Sequence, residues 1–111
     1  MNKMATSRST VVAMRDKLTP AQERVRRLKD LKSLADRLMT QVLHPSMKRQ
    51  ITLALHDVRE ALVYLAEPDV DRRPSLLRLV DLTITLAAAR LDMVGDALDD
   101  YGPSLTFADV K

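Results

Sequence analysis

The side chains that could carry acid–base or metal chemistry are two histidines and a row of aspartates. His44 and His56 are twelve residues apart, which would separate them by about 18 Å in one continuous helix, and a proline intervenes. Asp92, Asp96 and Asp99 share one helical face, but no inward-facing Glu with a Glu-x-x-His set accompanies them as in di-iron bundles. We therefore interpret the histidines as surface or capping residues and the aspartates as a solvated strip.

The chain also lacks the local patterns on which many enzymes depend. It contains no cysteine, which excludes disulfides, thiol catalysis and thiolate metal sites. The sequence has no Gly-rich phosphate loop, nucleophile elbow or zinc-ligand spacing. We therefore predict a protein that is not an enzyme and that has no catalytic, cofactor-binding or metal-binding residues.

Basic residues give a stronger functional signal. Residues 1–59 hold 13 Lys and Arg against 5 Asp and Glu, whereas residues 60–111 hold 5 against 10. Phosphate binding needs mobile cations at loose spacing, so a basic half of this kind predicts sequence-independent contact with RNA or DNA. A solvated helix face, or attraction between opposite halves of neighbouring subunits, explains the same charges. The candidate nucleic-acid-binding residues are Arg24, Arg26, Arg27, Lys29, Lys32, Arg37, Lys48 and Arg49.

Capping residues and prolines define the elements that must position these side chains. Thr19 precedes Pro20, as is typical of a helix start, and Tyr101-Gly102-Pro103 ends the last helical pattern. Three long helices are predicted, over Pro20 to about Leu43, about Ser46 to Ala66, and Pro74 to Leu98. They indicate an all-α, antiparallel bundle of three to four helices over residues 19–101, followed by a tail at 102–111. Residues 1–18 form an N-terminal tail, in which Ser9–Lys17 could add a short helix as a fourth layer.

The last helix carries more apolar surface than a single core requires. One seam with three-four spacing contains Leu77, Val80, Ile84, Ala87, Leu91, Val94 and Leu98. A second apolar seam lies roughly 130° away on the helical wheel. Three helices cannot cover both seams, so we predict a homo-oligomer. Its predicted interface consists of Leu79, Leu82, Leu86, Arg90 and Met93.

Arg90 lies within the apolar sector of this helix. A buried guanidinium without a counter-charge would cost several kcal/mol, so Arg90 must extend to solvent or meet a carboxylate. An ion pair within the chain and a pair with a carboxylate of another subunit are both compatible with the sequence.

Localisation follows from what the sequence lacks. Met1–Leu18 has no apolar stretch of signal-peptide length, and charged residues interrupt the apolar run after Pro74. Together with the absence of cysteine, this leads us to expect a cytoplasmic protein without membrane contact.

Several segments resemble one family of four-helix bundles. They are Pro45-Ser-Met-Lys-Arg49, Asp71-Arg-Arg73, Leu76-Leu-Arg-Leu-Val-Asp-Leu82 and Ala89-Arg-Leu91. Over about residues 24–99 the chain is similar to the family that contains the Avd accessory proteins of diversity-generating retroelements and the 23S rRNA intervening-sequence proteins. The resemblance implies a small basic oligomer, pentameric in the accessory proteins, that binds RNA or DNA and a reverse transcriptase without catalysis of its own. Arg49 falls on a recognisable family position.

Two functions from different classes follow. The first is a non-enzymatic homo-oligomeric adaptor that binds nucleic acid through its basic N-terminal half, as an accessory of a retroelement reverse transcriptase. The alternative is a structural or protein–protein interaction subunit, of a phage, plasmid or multisubunit effector, that does not bind nucleic acid. Salt-sensitive binding to generic RNA and DNA distinguishes the first from the second.

Overall fold

The computed structural model describes residues 18–102, which form a bundle of three long helices. The elements are α1 at Pro20–Gln41, α2 at Pro45–Leu65, a short 3₁₀ helix at Val70–Arg72, and α3 at Pro74–Tyr101. The prediction of an all-helical bundle is confirmed, and the predicted ends of the helices differ from the observed ones by three residues or fewer. The tails and the short helix predicted at Ser9–Lys17 lie outside the described residues.

Local hydrogen bonds explain where the helices begin and end. The Thr19 hydroxyl accepts from the backbone N–H of Gln22, whose side chain accepts in turn from the Thr19 N–H, which completes a capping box before α1. His44 is the N-cap of α2, where its Nδ1 accepts from the Ser46 N–H at 3.1 Å. The capping role is one of those predicted for this histidine. Helix α3 ends at Tyr101, and its C-cap is Gly102, whose φ of 80° is readily adopted by glycine.

The core follows the predicted seams. Ile51, Ala54, Val58 and Ala61 are buried along α2, and they pack in one cluster with the buried residues of α1 and α3. In α1 the cluster includes Leu28, Ala35 and Leu38. In α3 it includes Val80, Ile84, Ala87, Leu91 and Val94. The alternation of alanines with larger residues allows the helices to approach closely.

Polar contacts fix the relative directions of the helices. Near the start of α1, the Ala21 N–H donates to the Asp71 carboxylate, and Arg24 pairs with Asp81 of α3, so α1 and α3 begin at the same end of the bundle. Arg90, in the second half of α3, donates to Gln50 near the start of α2. Helix α2 therefore runs antiparallel to both neighbours, as predicted.

Tight packing at Ala61 gives a testable consequence for stability. Ala61 is completely buried, so Ala61→Leu is expected to lower the free energy of unfolding by about 1 to 3 kcal/mol through overpacking. Urea unfolding followed by circular dichroism measures the difference. Val63→Leu, at a residue that is 63% exposed on the same helix, is the control and should leave stability nearly unchanged. Equal stability of both variants and the wild type would contradict the packing described here.

Candidate nucleic-acid and oligomer interfaces

Six of the eight predicted phosphate-binding residues present free cations. Each of them is exposed, and none forms an ion pair within residues 18–102. These six residues, which we call the free cations, are Arg26, Arg27, Lys29, Arg37, Lys48 and Arg49. They lie on α1 and at the first turn of α2, where side chains of this length can reach phosphates without moving the backbone.

Arg24 has a different role from the one predicted. Its side chain is only 20% exposed, and its Nε and Nη2 donate to the two Asp81 oxygens at 2.8 Å each, while Nη1 donates to the Pro20 carbonyl. This two-pronged contact holds α1 against α3 and occupies the guanidinium. Arg24 is therefore a structural residue here. The sequence places Arg24 beside the core seam but does not indicate that Asp81, 57 residues away, lies opposite it.

Lys32 is also engaged. Its Nζ lies 3.0 Å from Asp36 Oδ2, one helical turn further along α1, and both side chains are more than half exposed. An exposed i, i+4 pair of this kind is weak and exchanges readily with water. Lys32 can therefore still contact a phosphate, but the neighbouring carboxylate reduces its contribution.

A shallow groove lies beside two of the free cations. Its volume is about 610 Å³, and its apolar lining comes from Leu18, Ala21 and Val25 of the α1 end and from Leu65 of α2. Arg26 and Lys29 also line this groove. Asp30 lines it as well, so a carboxylate lies beside these two cations, and no aromatic ring of α1 is present on which a base could stack.

The second apolar seam of α3 is exposed to solvent, as its position away from the core predicts. The exposed fractions are 42% for Leu79, 68% for Leu82, 47% for Leu86 and 48% for Met93. We call these four residues the leucine stripe. Large apolar side chains that adjoin along a helix in this way are typical of an interaction surface.

Arg90, by contrast, has its polar contacts within its own chain. Its Nη1 donates to Gln50 Oε1 at 3.0 Å, and its Nε lies 3.4 Å from Asp57 Oδ2. The Arg90 and Asp57 side chains are 27% and 15% exposed. The sequence leaves three arrangements open for Arg90: a pair within the chain, extension to solvent, and a pair with another subunit. The pair within the chain is the one observed, so Arg90 needs no carboxylate from another subunit.

The Arg90–Asp57 contact is an imperfect ion pair. At 3.4 Å it is long for a charge-assisted hydrogen bond, and both Asp57 Oδ2 and Arg90 Nε are buried without a hydrogen-bond partner. Their attraction is therefore mainly electrostatic, in a setting where water is largely excluded.

His56, Asp57 and Glu60 bring one potential ligand atom each to within 4.8 Å of one another. Their present contacts explain the cluster: Asp57 faces Arg90, the exposed His56 lies 3.9 Å from Glu60, and Glu60 accepts from the Tyr64 hydroxyl. That hydrogen bond raises the pKa of Tyr64 above its ordinary value, with smaller contributions from desolvation and from the Glu60 charge. We assign no metal site to these residues.

Comparisons with protein-family models, with curated proteins and with solved structures gave no match to this chain. Within residues 18–102, no helix combines the length and apolar character needed to cross a membrane. The free cations and the leucine stripe are therefore the features that bear on its function.

Proposed function

We propose that this protein is a non-enzymatic, homo-oligomeric helical adaptor that binds nucleic acid through the free cations of α1 and the start of α2. One observation carries the proposal. Six exposed cations on α1 and the start of α2 have no ion-pair partner within residues 18–102. Exposed cations without fixed partners can adjust to the varying phosphate spacing of a flexible nucleic acid.

The chemistry of this surface favours recognition without regard to sequence. Helix α1 contains no aromatic residue on which a base could stack. Its free cations carry no fixed hydrogen-bond partners in the described part of the chain that would hold them in a base-reading geometry. Phosphate contacts should therefore supply most of the affinity, with RNA and DNA bound comparably.

The experiment is a salt titration of binding to a single-stranded RNA and to a duplex DNA, each of mixed sequence, followed by fluorescence anisotropy. Binding should weaken steeply, with a log–log slope of roughly −0.7 for each phosphate contact on single strands and −0.9 on duplex. Changing Arg26, Lys29 and Arg37 together to Gln should reduce the slope by about two to three units. These residues lie opposite the core seam of α1, so the fold should be retained.

The matched control removes three other exposed cations, with Arg59, Arg72 and Arg73 changed to Gln. This variant has the same net charge as the α1 variant but keeps the proposed surface, so its slope should stay close to that of the wild type. Equal slopes for the two triple variants would show that net charge, and not this face, governs binding. No detectable binding by the wild type at low salt would exclude the nucleic-acid function.

The resemblance to retroelement accessory proteins supports a reverse transcriptase as the protein partner. The competing function is a structural or protein–protein subunit without nucleic-acid binding, and the leucine stripe is the observation that favours it. That second function would be supported if the protein self-associates and its anisotropy titrations show no binding to RNA or DNA at any salt concentration.

A further inference from the structure

We propose that two copies of this chain pair through their leucine stripes in an antiparallel arrangement, with a two-fold axis close to Leu86. This inference rests on the self-association included in the proposed function and adds the interface, its symmetry and the residues that set its direction.

The shape of the leucine stripe suits a partner helix of the same kind. Leu79, Leu82, Leu86 and Met93, with the exposed Ala89, are separated by alternating steps of three and four residues. This spacing keeps the stripe on one side of the helix for about 21 Å at 1.5 Å per residue. On the helical wheel, the centre of the stripe lies roughly 150° from the buried seam, so a second copy can approach without displacing α1 or α2.

Charges border one edge of this stripe and are unevenly distributed along it. Arg78 lies beside the start of the stripe, whereas Asp92 and Asp96 lie beside its end, on the same side of α3. The three residues are exposed, and within residues 18–102 they form no ion pair. One edge of the interface therefore carries a positive end and a negative end.

This polarity selects the antiparallel arrangement. A two-fold axis perpendicular to the helices and near Leu86 brings this edge of α3 against the same edge of the partner, in the reverse direction. Arg78 lies about 12 Å before Leu86, and Asp92 and Asp96 lie about 9 and 15 Å after it, at 1.5 Å per residue. Each Arg78 therefore comes to the level of two carboxylates of the other copy, and the contact forms twice.

A parallel pair has no such contact. Parallel helices in register keep Arg78 about 21 Å or more from the level of the partner's carboxylates. The antiparallel pair also sets the two helix dipoles in opposition, which is favourable. On the other edge of the stripe lies Arg90, which a parallel pair would bring close to Asp92 of the partner. The charge of Arg90 is already opposed by Asp57 within the chain, so it adds little attraction in a parallel pair and no strong repulsion in the antiparallel one.

The test reverses the charges of these residues in the full chain. Sedimentation without nucleic acid measures the dissociation constant of the dimer for each variant. The first variant is Arg78→Glu, and the second combines Asp92→Lys with Asp96→Lys. Each alone places like charges at both ends of the interface, so each dissociation constant should rise about tenfold or more at low ionic strength. Circular dichroism verifies that each variant is folded.

An equimolar mixture of the two variants provides the decisive result. In the antiparallel heterodimer, the glutamate introduced in the first variant meets the two lysines introduced in the second at one end of the interface. At the other end, the unchanged Arg78 of the second variant meets the unchanged Asp92 and Asp96 of the first. We expect the mixture to associate with nearly the wild-type dissociation constant, and the differences between variants to shrink at high salt. A mixture that associates as weakly as either variant alone would overturn the antiparallel arrangement.

The other outcomes separate this inference from the proposed function. Wild-type association that is indifferent to every charge change would overturn this interface and leave self-association through another surface. A wild-type monomer at high micromolar concentration would overturn both self-association and this interface. Nucleic-acid binding is measured in a separate titration. If the protein does not bind nucleic acid, that part of the proposed function is wrong, and the heterodimer experiment still tests the interface.

Discussion

Asp57→Leu is expected to lower the free energy of unfolding by about 2 to 4 kcal/mol. The change leaves the Arg90 guanidinium, 27% exposed, with a hydrogen bond to Gln50 but without the carboxylate at 3.4 Å. Removing one partner of a buried ion pair generally lowers the free energy of unfolding by about 3 to 5 kcal/mol. The loss is smaller here because Arg90 is partly exposed and its guanidinium can turn toward water. Chemical denaturation of the two proteins at one pH measures the difference.

A double-mutant cycle separates this effect from lost packing. Arg90→Met and Asp57→Leu together replace the imperfect pair with apolar side chains of similar volume. The double variant should be close to the wild type in stability, or more stable by about 1 kcal/mol or more. A double variant that loses the sum of the two single losses would show that the two side chains act independently.

The core of the fold could be predicted from the sequence because helical periodicity is a local property. The residues with three-four spacing on each helix include the buried residues of the central cluster, and Thr19-Pro20 and Gly102 mark helix ends whose hydrogen bonds are short-range. The exposure of the leucine stripe followed from the same periodicity. A helix that is apolar on two sides must leave one side uncovered in a three-helix unit.

The polar contacts between helices could not be predicted, because they depend on distances between residues far apart in the chain. The sequence places Arg24 beside the core seam and predicts that it contacts phosphate, and only the packing of α1 on α3 places Asp81 against it. Packing also determines two other contacts, namely the ion pair of Asp57 with Arg90 and the hydrogen bond that the Asp71 carboxylate accepts from the Ala21 N–H. The pairing of Arg24 with Asp81 and of Lys32 with Asp36 reduces the candidate phosphate contacts from eight cations to six that are free in the described chain.

Leu86→Glu should weaken self-association about 100-fold or more without unfolding the subunit. Leu86 is 47% exposed in the single subunit, so a glutamate there changes the stability of the subunit by under about 1 kcal/mol. In the proposed dimer the two Leu86 side chains lie near the two-fold axis, where burying unpaired carboxylates is strongly unfavourable. Because Leu86 is only 47% exposed in the subunit, the lost burial adds about half of the roughly 1.5 to 3 kcal/mol that full burial of a leucine contributes.

Sedimentation and thermal melting together measure the result, with Val63→Glu as the control. Val63 is an exposed apolar residue on α2, outside the leucine stripe, so its variant gains the same charge and should associate as the wild type does. Equal association of both variants would place the interface elsewhere. Association itself raises the melting temperature, so melting is compared at a protein concentration at which the wild type is monomeric. A melting temperature lowered there only in Leu86→Glu would show that the stripe is part of the subunit core.

Dissociation of the Leu86→Glu variant should also change nucleic-acid binding in a defined way. A dimer presents two sets of free cations to one long strand, whereas a monomer presents one, so the number of phosphate contacts per bound particle should fall by about half. The salt slope should fall in the same proportion, although no cation has been changed. A slope equal to that of the wild type would mean that one subunit makes all the contacts and that pairing does not serve nucleic-acid binding.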